Sequence, residues 1–118
     1  MSELKTEING INIFEHDYDR WRNHEECNGL IGEGVAFRFN RFLKYHDLIL
    51  SEYETVEDTW NNLSEARDGN RYDIHDNYVF DEDNDLEISF LYVVNGNLWA
   101  TLLQGNEWYG DFEIPANV

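Results

Sequence analysis

The chain has 118 residues, with 8 Lys and Arg against 25 Asp and Glu and a net charge of -17. That length suits one domain able to bury roughly 65% of its unfolded surface, and so negative a chain repels anionic membranes and the nucleic acid backbone alike, which excludes direct binding to either. Apolar residues make up 42% and aromatic residues 15%, too much packing material for a disordered acidic tail.

The first predicted element is Ile11-Asn12-Ile13-Phe14, a short strand or extended lead-in. Phe14, Tyr18 and Trp21 then recur at i, i+4, i+7, which predicts a helix from about Asp17 to Cys27, ended by Asn28-Gly29. Gly29, Gly32 and Gly34 read as turn glycines in a connecting loop, since the Lys-Ser/Thr of a phosphate loop is missing and the surroundings are acidic. From Val35 two periods compete. Val35, Phe37 and Phe39 alternate like a strand, but Val35, Phe39, Phe42, His46, Ile49 and Tyr53 fit a helix and cover more residues. Thr55 followed by Asp58 is a shortened capping box, with Val56, Trp60 and Leu63 as the apolar stripe of a helix expected to stop near Asp68-Gly69.

Beyond that point the pattern changes to strands. Tyr72 and Ile74, then Tyr78 and Phe80, read as short strands. Leu86, Ile88, Phe90, Tyr92 and Val94 alternate on one face, Asn95-Gly96 supplies a two-residue type I′ turn, and Leu98, Ala100 and Leu102 resume beyond it. Trp99 falls on the opposite face with Leu91, Val93 and Leu103 and reads as a second layer packed on the helices. Gln104-Gly105-Asn106 is a second turn, and Trp108, Phe112 and Ile114 mark a last strand before Pro115. The expected fold is α+β, with two to three helices in the N-terminal half packed on a C-terminal antiparallel β-meander, in a single globular domain over residues 1–118.

The lone Cys27 cannot form an internal disulfide, and small secreted domains usually rely on several. The first residues carry neither a basic nor an apolar leader region, and no apolar run approaches membrane-spanning length. A cytoplasmic protein is expected.

Charge is unevenly placed. No Lys or Arg follows Arg71, yet that stretch carries Asp73, Asp76, Asp81, Glu82, Asp83, Asp85, Glu87, Glu107, Asp111 and Glu113. Asp81, Asp83 and Asp85 share the 1, 3, 5 spacing of a calcium loop, but Leu86 stands where the motif needs Gly and Tyr92 where it needs a bidentate Glu, so the segment reads as a solvated turn. His16, His24, Glu25, Glu26 and Cys27 match no closed zinc spacing. Asp73 and His75 stand two apart on an expected strand, where a carboxylate can orient an imidazole base, but no nucleophile elbow accompanies them. With 25 acids in the chain, a glycosidase-like carboxylate pair arises by chance and carries no weight. Trp108 and Tyr109 are adjacent on a strand and must face opposite ways, so one of them is exposed beside Glu107, Asp111 and Glu113 and can anchor an interface.

These features point to a non-enzymatic binding protein, without cofactor or metal, that neutralises a basic macromolecule such as a nucleic-acid enzyme. The expected contact residues are Asp73, Asp76, Asp81, Glu82, Asp83, Asp85, Glu107, Trp108, Tyr109 and Asp111. In size and charge the chain resembles two groups of inhibitors, the immunity proteins that neutralise nuclease toxins and the phage-encoded DNA mimics that block restriction or CRISPR enzymes. Arg20, Arg22, Arg38, Arg41 and Lys44 interrupt the acidity of the first half, so charge is polarised onto one docking face, which favours the immunity reading. The alternative from another class is a small metal-binding or catalytic domain built on Asp73, His75 and Asp76 or on the Asp81 to Glu87 cluster.

Overall fold

A computed structural model describes residues 3–19, 32–65 and 71–116 of the chain. Seven antiparallel strands form one sheet: β1 (Leu4–Ile8), β2 (Ile11–Phe14), β3 (Leu63–Glu65), β4 (Arg71–Asp81), β5 (Leu86–Val94), β6 (Asn97–Gln104) and β7 (Glu107–Ile114). Their order is β1-β2-β7-β6-β5-β4-β3, so β3 to β7 run as an uninterrupted meander and the N-terminal hairpin closes onto the last strand. Among the described residues, the helices α1 (Gly32–Tyr45) and α2 (Val56–Asn61) lie between β2 and β3 in the chain, and Tyr18 and Asp19 are also helical.

The α+β class is as expected, but the chain opens with a hairpin rather than helices, and the two described helices sit mid-chain. The cause lies in Ile8-Asn9-Gly10-Ile11. Asn9 and Gly10 have φ of 52° and 80°, nearly matching Asn95 and Gly96 at 50° and 81°, so one turn chemistry builds both hairpins. The helix expected over 17–27 lies outside the described residues beyond Asp19.

Residues 35–42 are helical, as the longer period indicates. Val35, Ala36, Phe39, Phe42 and Leu43 form the buried stripe of α1, while Phe37, Lys44 and Tyr45 are exposed. Gly32 and Gly34 belong to the first turn of this helix and not to a loop. The stripe packs on Leu86, Ile88, Leu91, Val93, Leu98, Ala100, Leu102, Phe112 and Ile114 of the sheet. Phe42 and Phe80 both meet the Phe112 ring, at 5.5 and 5.0 Å. Each such buried side chain contributes about 1.5–3 kcal/mol, which is why this layer dictates the fold.

Helix α2 begins on the capping box read from the sequence. Asp58 N donates to Thr55 Oγ1 at 3.2 Å and Thr55 N donates to Asp58 Oδ2 at 2.8 Å. The helix stops at Asn61, well before Asp68. Asn62 ends it by pairing with β4: its Nδ2 donates to Asp76 O at 2.9 Å, its Oδ1 accepts from Asp76 N at 2.8 Å, and its carbonyl accepts from His75 N at 2.9 Å. The chain then continues straight into β3. Those three bonds also explain why Tyr72 to Phe80 is one strand with a register shift between Asp73 and Tyr78, and not two short ones.

A second register shift corrects the predicted faces of the central hairpin. Ile88 pairs with Leu102 while Phe90 pairs with Thr101, so alternation slips by one residue at Ser89. Leu86 and Ile88 therefore share the helix-side core with Leu91 and Val93, and Phe90 and Tyr92 turn to the other face. Trp99 joins that face, paired with Tyr92 and stacked on its ring at 6.4 Å, instead of packing under the helices.

Candidate functional site

Two neighbouring turns concentrate the acidic residues at one end of the sheet. The first joins β4 to β5 and carries Asp81, Glu82, Asp83 and Asp85; the second joins β6 to β7 and leads into Glu107. Gln104 Nε2 donates to the Asn84 carbonyl at 2.9 Å and ties the two turns together. Inside the first, Asn84 Nδ2 donates to Asp81 Oδ2 at 2.6 Å and Asp85 takes a left-handed φ of 56°. Glu82, Asp83, Asp85 and Glu107 are exposed and Asp81 is partly so. Among the described residues, none of these five pairs with a cation. Val79, Asp81, Glu82, Asp85, Leu86 and Glu87 line a shallow hollow of about 80 Å³ on this end, with Val79 itself exposed.

The other expected contact residues divide by environment. Asp73 is held by Arg71, whose Nε donates to its Oδ1 at 2.7 Å, so its charge is already answered within the chain. Asp76 is exposed on β4, away from the acidic turns, with its backbone fixed by Asn62. Trp108 is exposed, while Tyr109 turns toward the helix-side core beneath Lys5, whose Nζ lies 4.0 Å from the ring centroid. Asp111 does not belong to the acidic surface at all. It is fully buried, so the contact role expected of it is corrected.

Asp111 instead organises the sheet face opposite the helices. Its Oδ1 accepts from Thr101 Oγ1 at 2.8 Å and from His16 Nδ1 at 2.7 Å; its Oδ2 accepts from Tyr92 OH at 2.7 Å and from Asp17 N at 3.4 Å. Four donors around one carboxylate offset the cost of burying it, because charge-assisted hydrogen bonds are roughly twice as strong as neutral ones. The acceptor-only carboxylate also requires that His16 carry its proton on Nδ1. His16 stacks on Trp108 at 5.2 Å and meets Tyr18 edge-on at 4.4 Å, and Trp108 meets Phe90 edge-on at 5.1 Å. The network thus fixes the segment leaving β2 and seats two exposed rings, Tyr18 and Trp108, beside the acidic end.

The chain matches no known protein-family model, no curated protein and no solved structure. Function is therefore read from the residues themselves.

The carboxylate and imidazole that meet are His16 and Asp111, not Asp73 and His75. In general-base geometry the free nitrogen of such a pair faces substrate. Here Nε2 of His16 is buried and, among the described residues, meets no hydrogen-bond donor or acceptor, and the ring is packed among Trp108, Tyr18 and Phe90. The pair ties the N-terminal segment to β7. Asp73 and His75 diverge, with the first on Arg71 and the second exposed. No three His, Cys, Asp or Glu side chains among the described residues converge on a point that could hold a metal ion. His24, Glu25, Glu26 and Cys27 lie outside those residues, as do Arg20 and Arg22. Among the described residues no helix is long and apolar enough to cross a membrane.

Proposed function

We propose that this protein is a small acidic binding module that neutralises a basic macromolecular target, in the manner of an immunity protein against a nuclease-type toxin. The observation that carries this reading is the set of five carboxylates, Asp81, Glu82, Asp83, Asp85 and Glu107, on two tethered turns with no cation among the described residues beside them. A folded end of one sign focuses its field toward an oppositely charged cleft and raises association rates by about 10- to 1,000-fold at low salt. Nuclease clefts are positively charged because they bind phosphate, so they present the complementary surface. The carboxylates gather at one end of the sheet instead of in two rows along it, which supports docking of a single face over the phage-type imitation of a duplex.

The test is capture from host lysate with two baits, the natural protein and a variant carrying Asn or Gln at those five positions. A single stoichiometric basic protein, kept by the natural bait through a moderate-salt wash and lost by the variant, is the expected result. Identical capture by both baits, or a diffuse basic set that leaves with salt, would overturn the proposal.

A further inference from the structure

Tyr18 and Trp108 stand out among the exposed aromatic side chains because they touch each other and are both held from beneath. Their ring centroids lie 6.5 Å apart with planes at 85°, so they form two walls of a corner. Tyr18 is 48% exposed and Trp108 39% exposed, which leaves ring surface of each open to a ligand. His16 supports both walls, stacked on Trp108 and edge-on to Tyr18, and is itself pinned by the buried Asp111 carboxylate. The corner is therefore preformed, which lowers the ordering cost of binding.

Charge decides what fits. Glu107, next to Trp108 in the chain, is exposed, and Trp108 opens β7 at the end where the two acidic turns meet. Elsewhere the chain lays its own cations over its aromatic rings: Lys5 over Tyr109 at 4.0 Å, Arg41 over Phe37 at 5.4 Å and Arg71 over Phe90 at 5.1 Å. Among the described residues no cation lies over Tyr18 or Trp108.

We infer that the Tyr18–Trp108 corner is the seat of one cationic side chain of the target, an arginine, held by cation–π contact between perpendicular rings under the field of the acidic turns. Arginine suits it because a planar guanidinium stacks on the indole face while its edge N–H groups point toward the second ring. This inference rests on the proposed function and specifies the anchor within it.

A short oligoarginine peptide is the probe, with its uncharged oligocitrulline counterpart as control, followed by the Trp108 indole N–H resonance at low and moderate salt. Oligoarginine should shift that resonance and oligocitrulline should not. Tyr18→Leu, at a half-exposed site, should weaken oligoarginine binding by roughly 2- to 30-fold, the range of a single cation–π contact, and Trp108→Leu should do the same when binding is followed by calorimetry. The five-fold acid variant should lose binding mainly through slower association. Unchanged affinity in folded Tyr18→Leu, or equal shifts with oligocitrulline, would overturn the seat while leaving the acidic reading in place. Absence of oligoarginine binding by the natural protein at low salt would remove both.

Discussion

Tyr78 shows how a buried polar group shapes stability. Its hydroxyl donates to Glu54 Oε2 at 3.0 Å, and that oxygen also accepts from Thr59 Oγ1 at 2.9 Å, which in turn accepts from Asn40 Nδ2 at 2.9 Å. Desolvation first, and then the nearby Glu54 charge, push the phenol up to about 12 from its ordinary 10.0. The folded state therefore prefers neutral Tyr78. The resulting stabilisation is complete below pH 10 and is lost as pH rises from 10 toward about 12, because only the unfolded chain ionises readily in that window. Urea denaturation across this range should show a falling alkaline limb that Tyr78→Phe makes shallower, at a cost near neutrality of about 1 kcal/mol for the lost bond. Parallel limbs in the two proteins would contradict the assignment. Asp111 carries the opposite lesson about legibility. In sequence it is one acid among ten after Arg71, and nothing local separates it from Glu107 or Glu113. Its burial becomes visible only when Tyr92, Thr101 and His16 are brought around it by strand pairing, and the His16 contact spans 95 positions.

At the level of elements, β2 and β7 approach closely at Gly110. A Cβ on Gly110 would meet Phe14 O at 2.5 Å and Ile13 Cγ2 at 2.8 Å, and neither the backbone nor the fully buried Ile13 can yield cheaply. Gly110→Ala should therefore destabilise the protein by about 1–3 kcal/mol, with faster hydrogen exchange concentrated in residues 4–14. Uniform exchange across the sheet would show that the hairpin is not the part displaced. The elements themselves were unevenly readable. The Asn95-Gly96 hairpin, the Thr55-Asp58 cap and the first half of the α1 stripe, Val35, Phe39 and Phe42, follow from local chemistry and appear where the sequence places them, whereas His46, Ile49 and Tyr53 lie beyond the end of the helix at Tyr45. Asn9-Gly10 offers the same turn signal, but strands as short as β1 and β2 give too little alternation to draw attention to it. The slip at Ser89 leaves no trace in a run of apolar residues that continues on both faces, so the side on which Trp99 packs could not be read. Helix α2 ends early because Asn62 bonds to a distant strand, which is information the stripe Val56, Trp60, Leu63 does not contain.

For the whole molecule, a net charge of -17 on 118 residues opposes compaction. Screening over a Debye length of about 10 Å at 0.1 M salt relieves that repulsion, so thermal melts should show the transition temperature rising from low to moderate salt. A flat or falling curve would mean that the acidic turns contribute little to self-repulsion. The surface position of the same turns was legible because charge gathered between strand signals must lie on the surface, whereas the aromatic corner required knowing that Tyr18 returns to Trp108. The sheet order sets one further condition on the protein. β2 and His16 are made well before their partners β7 and Asp111, and at about 5–20 residues per second the 95 positions between His16 and Asp111 represent roughly 5–19 s of synthesis. Throughout that interval the nascent chain has neither the brace beneath Trp108 nor the closed sheet edge. A partly translated copy thus exposes Tyr18 without its Trp108 neighbour, and the two rings meet only once β7 has emerged.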